Sequence, residues 1–171
     1  MIPAATAAFR LSVPGVMGID RDFGVAFAKA QMSVSSQLPT GGRIFISVGN
    51  RDKEAIVPIA RTLTEAGFEL VATAGTRAHL EENGVEARQV MKISEGRPHV
   101  IDLLTDGSIG LMINTPADRD SHIDDYEIRR AAIIHRVPYT TTIPGAIAAV
   151  QGIMSLKTKT VTVKSLQDYH A

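Results

Sequence analysis

The sequence predicts an α/β fold in which helices flank a mostly parallel sheet of about five strands, and three observations carry that reading. From Arg43 onward, short β-rich runs alternate with helical segments, the pattern of βαβ units. Gly67 and Gly84 fall where two of those helices must end, positions that favour a residue tolerant of positive φ. With 171 residues and 44% hydrophobic content, the chain can bury one core, so one domain plus an appendage is expected.

In chain order, residues 1 to 17 are small, apolar and turn-rich without periodicity, which suits a tail between domains. A helix is predicted from Asp20 to Ser35, with Asp20 as N-cap and Phe23, Phe27, Ala30 and Val34 on one face. That face is expected to pack mainly on a neighbouring domain or a second copy. Leu38-Pro39-Thr40-Gly41-Gly42 ends the helix. Strands are predicted at Ile44 to Val48, Glu69 to Ala72, Ala87 to Val90, Ile109 to Ile113 and Tyr139 to Thr141. Helices fall near Asp52 to Glu65, Arg77 to Asn83, Pro98 to Thr105, Asp124 to Arg136 and Gly145 to Leu156. Pro58 removes a backbone donor inside the second helix unless that helix starts near Ala55. The last apolar run, Thr160 to Val163, is read as an edge strand or as packing that ties down the C-terminus.

Charge narrows the function classes. Lys plus Arg number 18, as do Asp plus Glu, so no general field draws the chain to nucleic acid or membrane, and any anion site must be local. The absence of cysteine removes disulfides and thiolate zinc sites. No stretch approaches a membrane span, and MIPAATAAFRLSVPG lacks the continuous apolar block of a signal peptide, so a soluble, cytoplasmic protein is expected. The five histidines show no metal spacing, and His79 and His135 read as helix-surface residues.

In open α/β sheets, ligands bind at the carboxyl ends of the strands, where loops present backbone N–H groups and the positive ends of helix dipoles. The loops there are Gly49 to Lys53, Thr73 to Thr76, Asn114 to Pro116 and Thr140 to Gly145. Thr73, Gly75 and Thr76 could hold a phosphate, with Gly75 letting the backbone approach and Lys53 supplying charge. An ordinary turn with an N-cap has the same Thr-x-Gly-Thr appearance, and Lys53 and Lys92 are by default solvated surface lysines. His122-Ile123-Asp124-Asp125 reads first as a carboxylate cap, from Asp124 or Asp125, for the next helix and only second as acid-base machinery.

Residues 43 to 171 resemble the methylglyoxal-synthase-like domain at the C-terminus of the carbamoyl-phosphate synthase large chain. FISVGNRDK (Phe45 to Lys53), ATAGT (Ala72 to Thr76), EGRPHVID (Glu95 to Asp102), INT (Ile113 to Thr115) and YTTTIPGA (Tyr139 to Ala146) carry the resemblance. Residues 17 to 39 resemble the end of the preceding ATP-grasp unit. The resemblance implies a Rossmann-like three-layer sandwich over 43 to 171, with 1 to 42 as the tail of that unit and a linker helix.

It further implies an allosteric regulatory domain that binds a nucleotide effector such as UMP or IMP and, in some members, ornithine. Lys53, Thr73, Gly75, Thr76 and Lys92 would hold the effector phosphate, Ser47, Asn114 and Asp124 would lie near ribose and base, and Tyr139 and Thr141 match positions that contact ornithine. Pro116 and Thr140 depart from residues found in some relatives. The implied parent is an ATP-dependent ligase that uses Mg or Mn, pairs with a small glutaminase subunit and assembles into homo-oligomers; this chain by itself is expected to carry no cofactor, metal or catalysis. Two alternatives stand beside it: a free-standing lyase like methylglyoxal synthase, for which His122 and Asp125 keep a His-x-x-Asp spacing while Gly96-Arg97-Pro98-His99 lacks the catalytic Asp, and a purely structural oligomerisation domain.

Overall fold

The computed structural model describes residues 7–10, 17–34, 36–116 and 122–170, with side chains described outside 7–10, 122–124, 166 and 170. Chain order begins with β1 (Ala7–Arg10) paired antiparallel to β2 (Met17–Asp20), Phe9 opposite Gly18. Residues 1 to 17 show no periodicity in sequence, and these short strands form a ribbon whose four-residue length leaves too few positions for a period to show. β2 lies directly on the next helix, where a Cβ at Gly18 would collide with the carbonyl of Ala26.

That helix, α1 (Phe23–Ser33), is capped by Asp22 rather than by Asp20: the Asp22 Oδ1 accepts the Val25 N–H at 2.9 Å. Asp20 is engaged elsewhere, accepting the Asp22 N–H and pairing with Lys29 at 2.8 Å. The expectation that the apolar face of α1 packs mainly on another molecule is corrected in part: of Phe23, Phe27, Ala30 and Val34, Phe27 and Ala30 are buried within this chain, as are Val25, Ala26 and Ala28 beside them. The partner is α6 (Ile143–Thr158), and two glycines permit the approach. A Cβ at Gly24 would strike Ser155 and the Gln151 carbonyl, and one at Gly152 would meet Leu38 at 2.6 Å. Phe23 remains 40% exposed.

The main sheet has β3 (Arg43–Ser47), β4 (Glu69–Ala72), β5 (Arg88–Gln89), β6 (Ile109–Asn114) and β7 (Tyr139–Thr140) in the order β5-β4-β3-β6-β7, every pairing parallel. Alternation of side chains along a strand divides the core into two layers. Ile44, Ile46, Leu70, Leu111 and Ile113 meet Ile56 and Leu63 of α2 (Lys53–Glu65), Leu80 of α3 (Ala74–Glu82) and Ile153 of α6. Phe45, Val71 and Met112 face the opposite way, toward Val100 and Leu104 of α4 (Val100–Thr105) and Ile128 and Ala132 of α5 (His122–Ile134).

Gly67 and Gly84 adopt φ of 86° and 73° after α2 and α3, as their places in the sequence require. Pro58 sits inside α2 on its exposed side, and α2 begins at Lys53, behind a 3-10 turn at Asn50–Asp52, rather than near Ala55. Both α3 and α6 begin two or three residues earlier than predicted. Thr160 to Val163 forms no strand, and Val163 is fully exposed before α7 (Leu166–His170); four alternating residues supply no partner edge by themselves.

Candidate anion site at the carboxyl edge of the sheet

Parallel strands bring all their carboxyl ends to one edge. Strand order reverses between β3 and β6, whose last residues, Ser47 and Asn114, stand in register, so the switch point at which open sheets bind ligands lies between them. The loops flanking that crevice are tied by side chains. Thr115 Oγ1 accepts the Gly49 N–H at 3.1 Å while the Thr115 N–H donates to the Ser47 carbonyl at 3.0 Å.

On the other side of β3, Thr76 Oγ1 accepts the Val48 N–H at 3.1 Å, and Thr73 Oγ1 lies 3.2 Å from Ser47 Oγ and donates to Thr76 Oγ1 at 3.4 Å. The hydroxyls of Thr73 and Thr76 are therefore buried braces for the β3 loop. Their engagement has a consequence for α3. Thr73 stands in the N-cap position with extended backbone, yet its side chain makes no capping bond, so the first-turn N–H groups of the exposed Ala74 and Gly75 receive no side-chain acceptor.

Lys53 closes the arrangement. Its Nζ lies 3.8 Å from where a Cβ on Gly75 would stand, which puts an ammonium beside the positive end of α3. Gly75 is helical, and its value here is the room above its Cα. A cation, open N–H groups and a helix dipole converging from two elements suit an oxyanion. None of the eight ion pairs among the described residues involves Lys53.

The remaining sequence candidates distribute along the same edge. Lys92 is exposed on the loop after β5, its N–H bonded to Glu95 at 2.9 Å, and stands one strand beyond the Thr73 loop. Tyr139, 41% exposed, and Thr141 belong to β7 and the bend after it, on the far side of β6. Asp124 lies in the first turn of α5, with its side chain outside the described residues, as is that of His122. Neither Asp124 nor Asp125 caps α5, which already begins at His122. Instead the buried Asp125 Oδ1 accepts from Asn114 Nδ2 at 3.0 Å.

Thr115 was not singled out by sequence, although it follows its strand as Thr73 follows β4. Of the two histidines read as helix-surface residues, His135 is exposed, whereas His79 Nε2 is buried 3.4 Å from Glu54; His99 Nδ1 is likewise buried, 3.4 Å from Asp102, and neither buried nitrogen is in a well-formed hydrogen bond. A cavity of about 620 Å³ lies elsewhere, between α1, α2 and α6, but its lining of residues such as Phe23, Pro58, Ile147 and Met154 includes no Lys, Arg or His. No group of three or more potential metal-ligating side chains occurs among the described residues, and none of their helices is long and apolar enough to cross a membrane.

Comparison with known proteins gives the family and the fold. Residues 55–141 match the family model of the MGS-like domain. The carbamoyl phosphate synthase large chain, C-terminal section, of Methanopyrus kandleri is 53% identical over 156 residues, 91% of this chain and 29% of that protein. The large chains of Archaeoglobus fulgidus and Synechocystis sp. are 45% and 48% identical over 91% and 90% of this chain, in each case 14% of the relative. The chain thus spans less than a third of the length of these relatives. A methylglyoxal synthase from Elizabethkingia anophelis, at 17% identity, superposes with a TM-score of 0.56 over 78% of this chain and 92% of that one, which shows a shared fold. On the family-model match and the parallel sheet with its switch point at Ser47 and Asn114, the chain belongs to the MGS-like domain family.

Proposed function

We propose that this chain is the regulatory domain of a carbamoyl-phosphate synthase large chain and that it binds a nucleotide effector, UMP or IMP, through its phosphate. The observation that carries the reading is the Lys53 ammonium beside the uncapped first turn of α3. A phosphate there gains a charge-assisted bond to the lysine and backbone N–H donors that no side chain has taken. Ribose and base then extend across the crevice toward Asn114, and Lys92 approaches the phosphate from the β5 side. Ornithine would bind at Tyr139 and Thr141, on the other end of the same edge.

Regulation requires that the effector bind two states of the parent enzyme unequally, with a coupling of about 1 to 3 kcal/mol. Catalysis, ATP and its Mg or Mn, and the contact with the glutaminase subunit belong in this reading to the remainder of the synthase. Calorimetric titration of the chain with UMP, IMP, ornithine and inorganic phosphate, run separately, tests it. Saturable binding of one nucleotide, competed by phosphate, is the expected result; no nucleotide binding would remove the effector site.

A further inference from the structure

We infer that Asp125 sets the hydrogen-bonding polarity of the crevice by locking the amide of Asn114, so that the site selects a ligand group that donates an O–H or N–H at that point. The inference rests on the effector reading and adds to it a residue that determines how the nucleotide is oriented.

Asn114 ends β6 at the switch point, opposite Ser47, and is only 3% exposed. An amide can face a neighbour with either its oxygen or its NH2 group, and the two choices present opposite chemistry to a ligand. Asp125, from the first turn of α5, meets Asn114 at 3.0 Å. A carboxylate accepts hydrogen bonds and has none to give, so only the Nδ2 end of Asn114 can point at it; the reverse orientation would set two acceptors against each other in a buried place. The Asn114 Oδ1 is thereby committed to the remaining direction, and it carries no hydrogen bond among the described residues.

An acceptor so fixed rewards a sugar hydroxyl or a base N–H and repels a phosphate oxygen. Lys53 and the start of α3 do the opposite, since they offer only donors. The two ends of the crevice therefore sort the two ends of a nucleotide, phosphate to Lys53 and α3, sugar or base to Asn114. Asp125 is a positioning residue in this scheme: it acts through the amide and not by touching the ligand.

The test is calorimetric titration of the 171-residue chain, unmodified and as Asp125→Asn, with UMP, IMP and inorganic phosphate. In the variant the new amide can meet Asn114 in either orientation, so nucleotide affinity should fall by about tenfold, the scale of one hydrogen bond, with phosphate affinity held within about twofold. A double variant, Asp125→Asn with Asn114→Asp, should recover nucleotide binding, because residue 125 then donates to residue 114 and an acceptor oxygen again faces the ligand. Unchanged nucleotide affinity, an equal loss for nucleotide and phosphate, or no recovery in the double variant would each overturn the inference while leaving the effector reading intact. An unmodified chain that binds neither nucleotide nor phosphate would overturn both. Should Asp125→Asn fail to fold, Asp125→Ala takes its place with the same expected loss for nucleotide alone, and a double variant that binds phosphate but not nucleotide would overturn the inference.

Discussion

At the start of α1, Asp22 turns its carboxylate onto the helix: Oδ1 accepts from Val25 N–H and Ser155 Oγ, and Oδ2 from Lys159 Nζ at 2.6 Å. At the start of α3, Thr73 occupies the same position with a side chain equally able to cap, but its hydroxyl is drawn away to Ser47 and Thr76. One helix end has its cation and its acceptor supplied from within the fold, and it fastens α1 to α6. The other has a cation, Lys53, but no acceptor. The difference teaches that capping potential in a sequence does not say which helix ends are finished, and the unfinished one is where the proposed effector phosphate would sit.

Changes at the two ends should therefore separate stability from binding. The largest effect is expected at the finished end from Gly24→Ala, whose Cβ would strike Ser155 and the Gln151 carbonyl. Overpacking against backbone predicts a loss of about 3 kcal/mol, read by urea unfolding, with nucleotide affinity unaltered in the folded fraction. Lys53→Ala should do the reverse, weakening nucleotide binding by about 2 kcal/mol through a lost charge-assisted bond while hardly moving the unfolding midpoint. A large stability loss from Lys53→Ala would break the comparison.

Asp22→Ala comes next, costing about 1 kcal/mol in stability with no change in binding, the usual scale for a lost N-cap. The Lys159 ammonium, then Ser155 and the Val25 N–H, hold the Asp22 carboxyl at about 2, below its ordinary 3.8. A depressed folded value means that the carboxylate stabilises the fold above pH 4 and that this gain is lost as pH falls from about 4 toward 2. Its partial exposure screens the gain, so acid titration should lower stability more steeply in the unmodified chain than in Asp22→Ala by only about 1 kcal/mol in total. Smallest is Gly75→Ala: a helical alanine should stabilise by about 0.5 kcal/mol, yet its methyl would stand against Lys53 Nζ and crowd the phosphate. Raised stability with weakened phosphate binding, measured on the same preparation, would sharpen the contrast; raised affinity would contradict it.

Much of this fold was legible because parallel strands and their helices repeat a strong local pattern. The five sheet strands and the glycines that end α2 and α3 follow from runs such as IFIS and from chain punctuation. What escaped notice depends on partners distant in sequence. Asp22 displaces Asp20 as the cap of α1 because Lys159 and Ser155, more than a hundred residues away, gather around it. Burial of Phe27 likewise depends on Gly152 opening a groove in α6.

The candidate site divides in the same way. Lys53, Gly75 and the Thr73 turn are candidates by residue type and spacing, and the sheet brings them together at the carboxyl ends of β3 and β4, beside the switch point between β3 and β6. That Thr73 and Thr76 spend their hydroxyls bracing β3 could not be read from a four-residue turn, and it makes Thr76→Ala a poor probe of binding, since Val48 would lose its buried acceptor. Asp125 was legible only as a carboxylate near a helix start. Its bond to Asn114 requires knowing that β6 ends beneath the first turn of α5.

The most direct test of the contrast between the two helix ends is an amide NMR titration of the chain with inorganic phosphate. Saturable shifts of the Ala74 and Gly75 N–H resonances, with the Val25 N–H unmoved, are predicted. Shifts absent at Ala74 and Gly75, or no larger there than at Val25, would contradict the claim that α3 is the end left open for an anion.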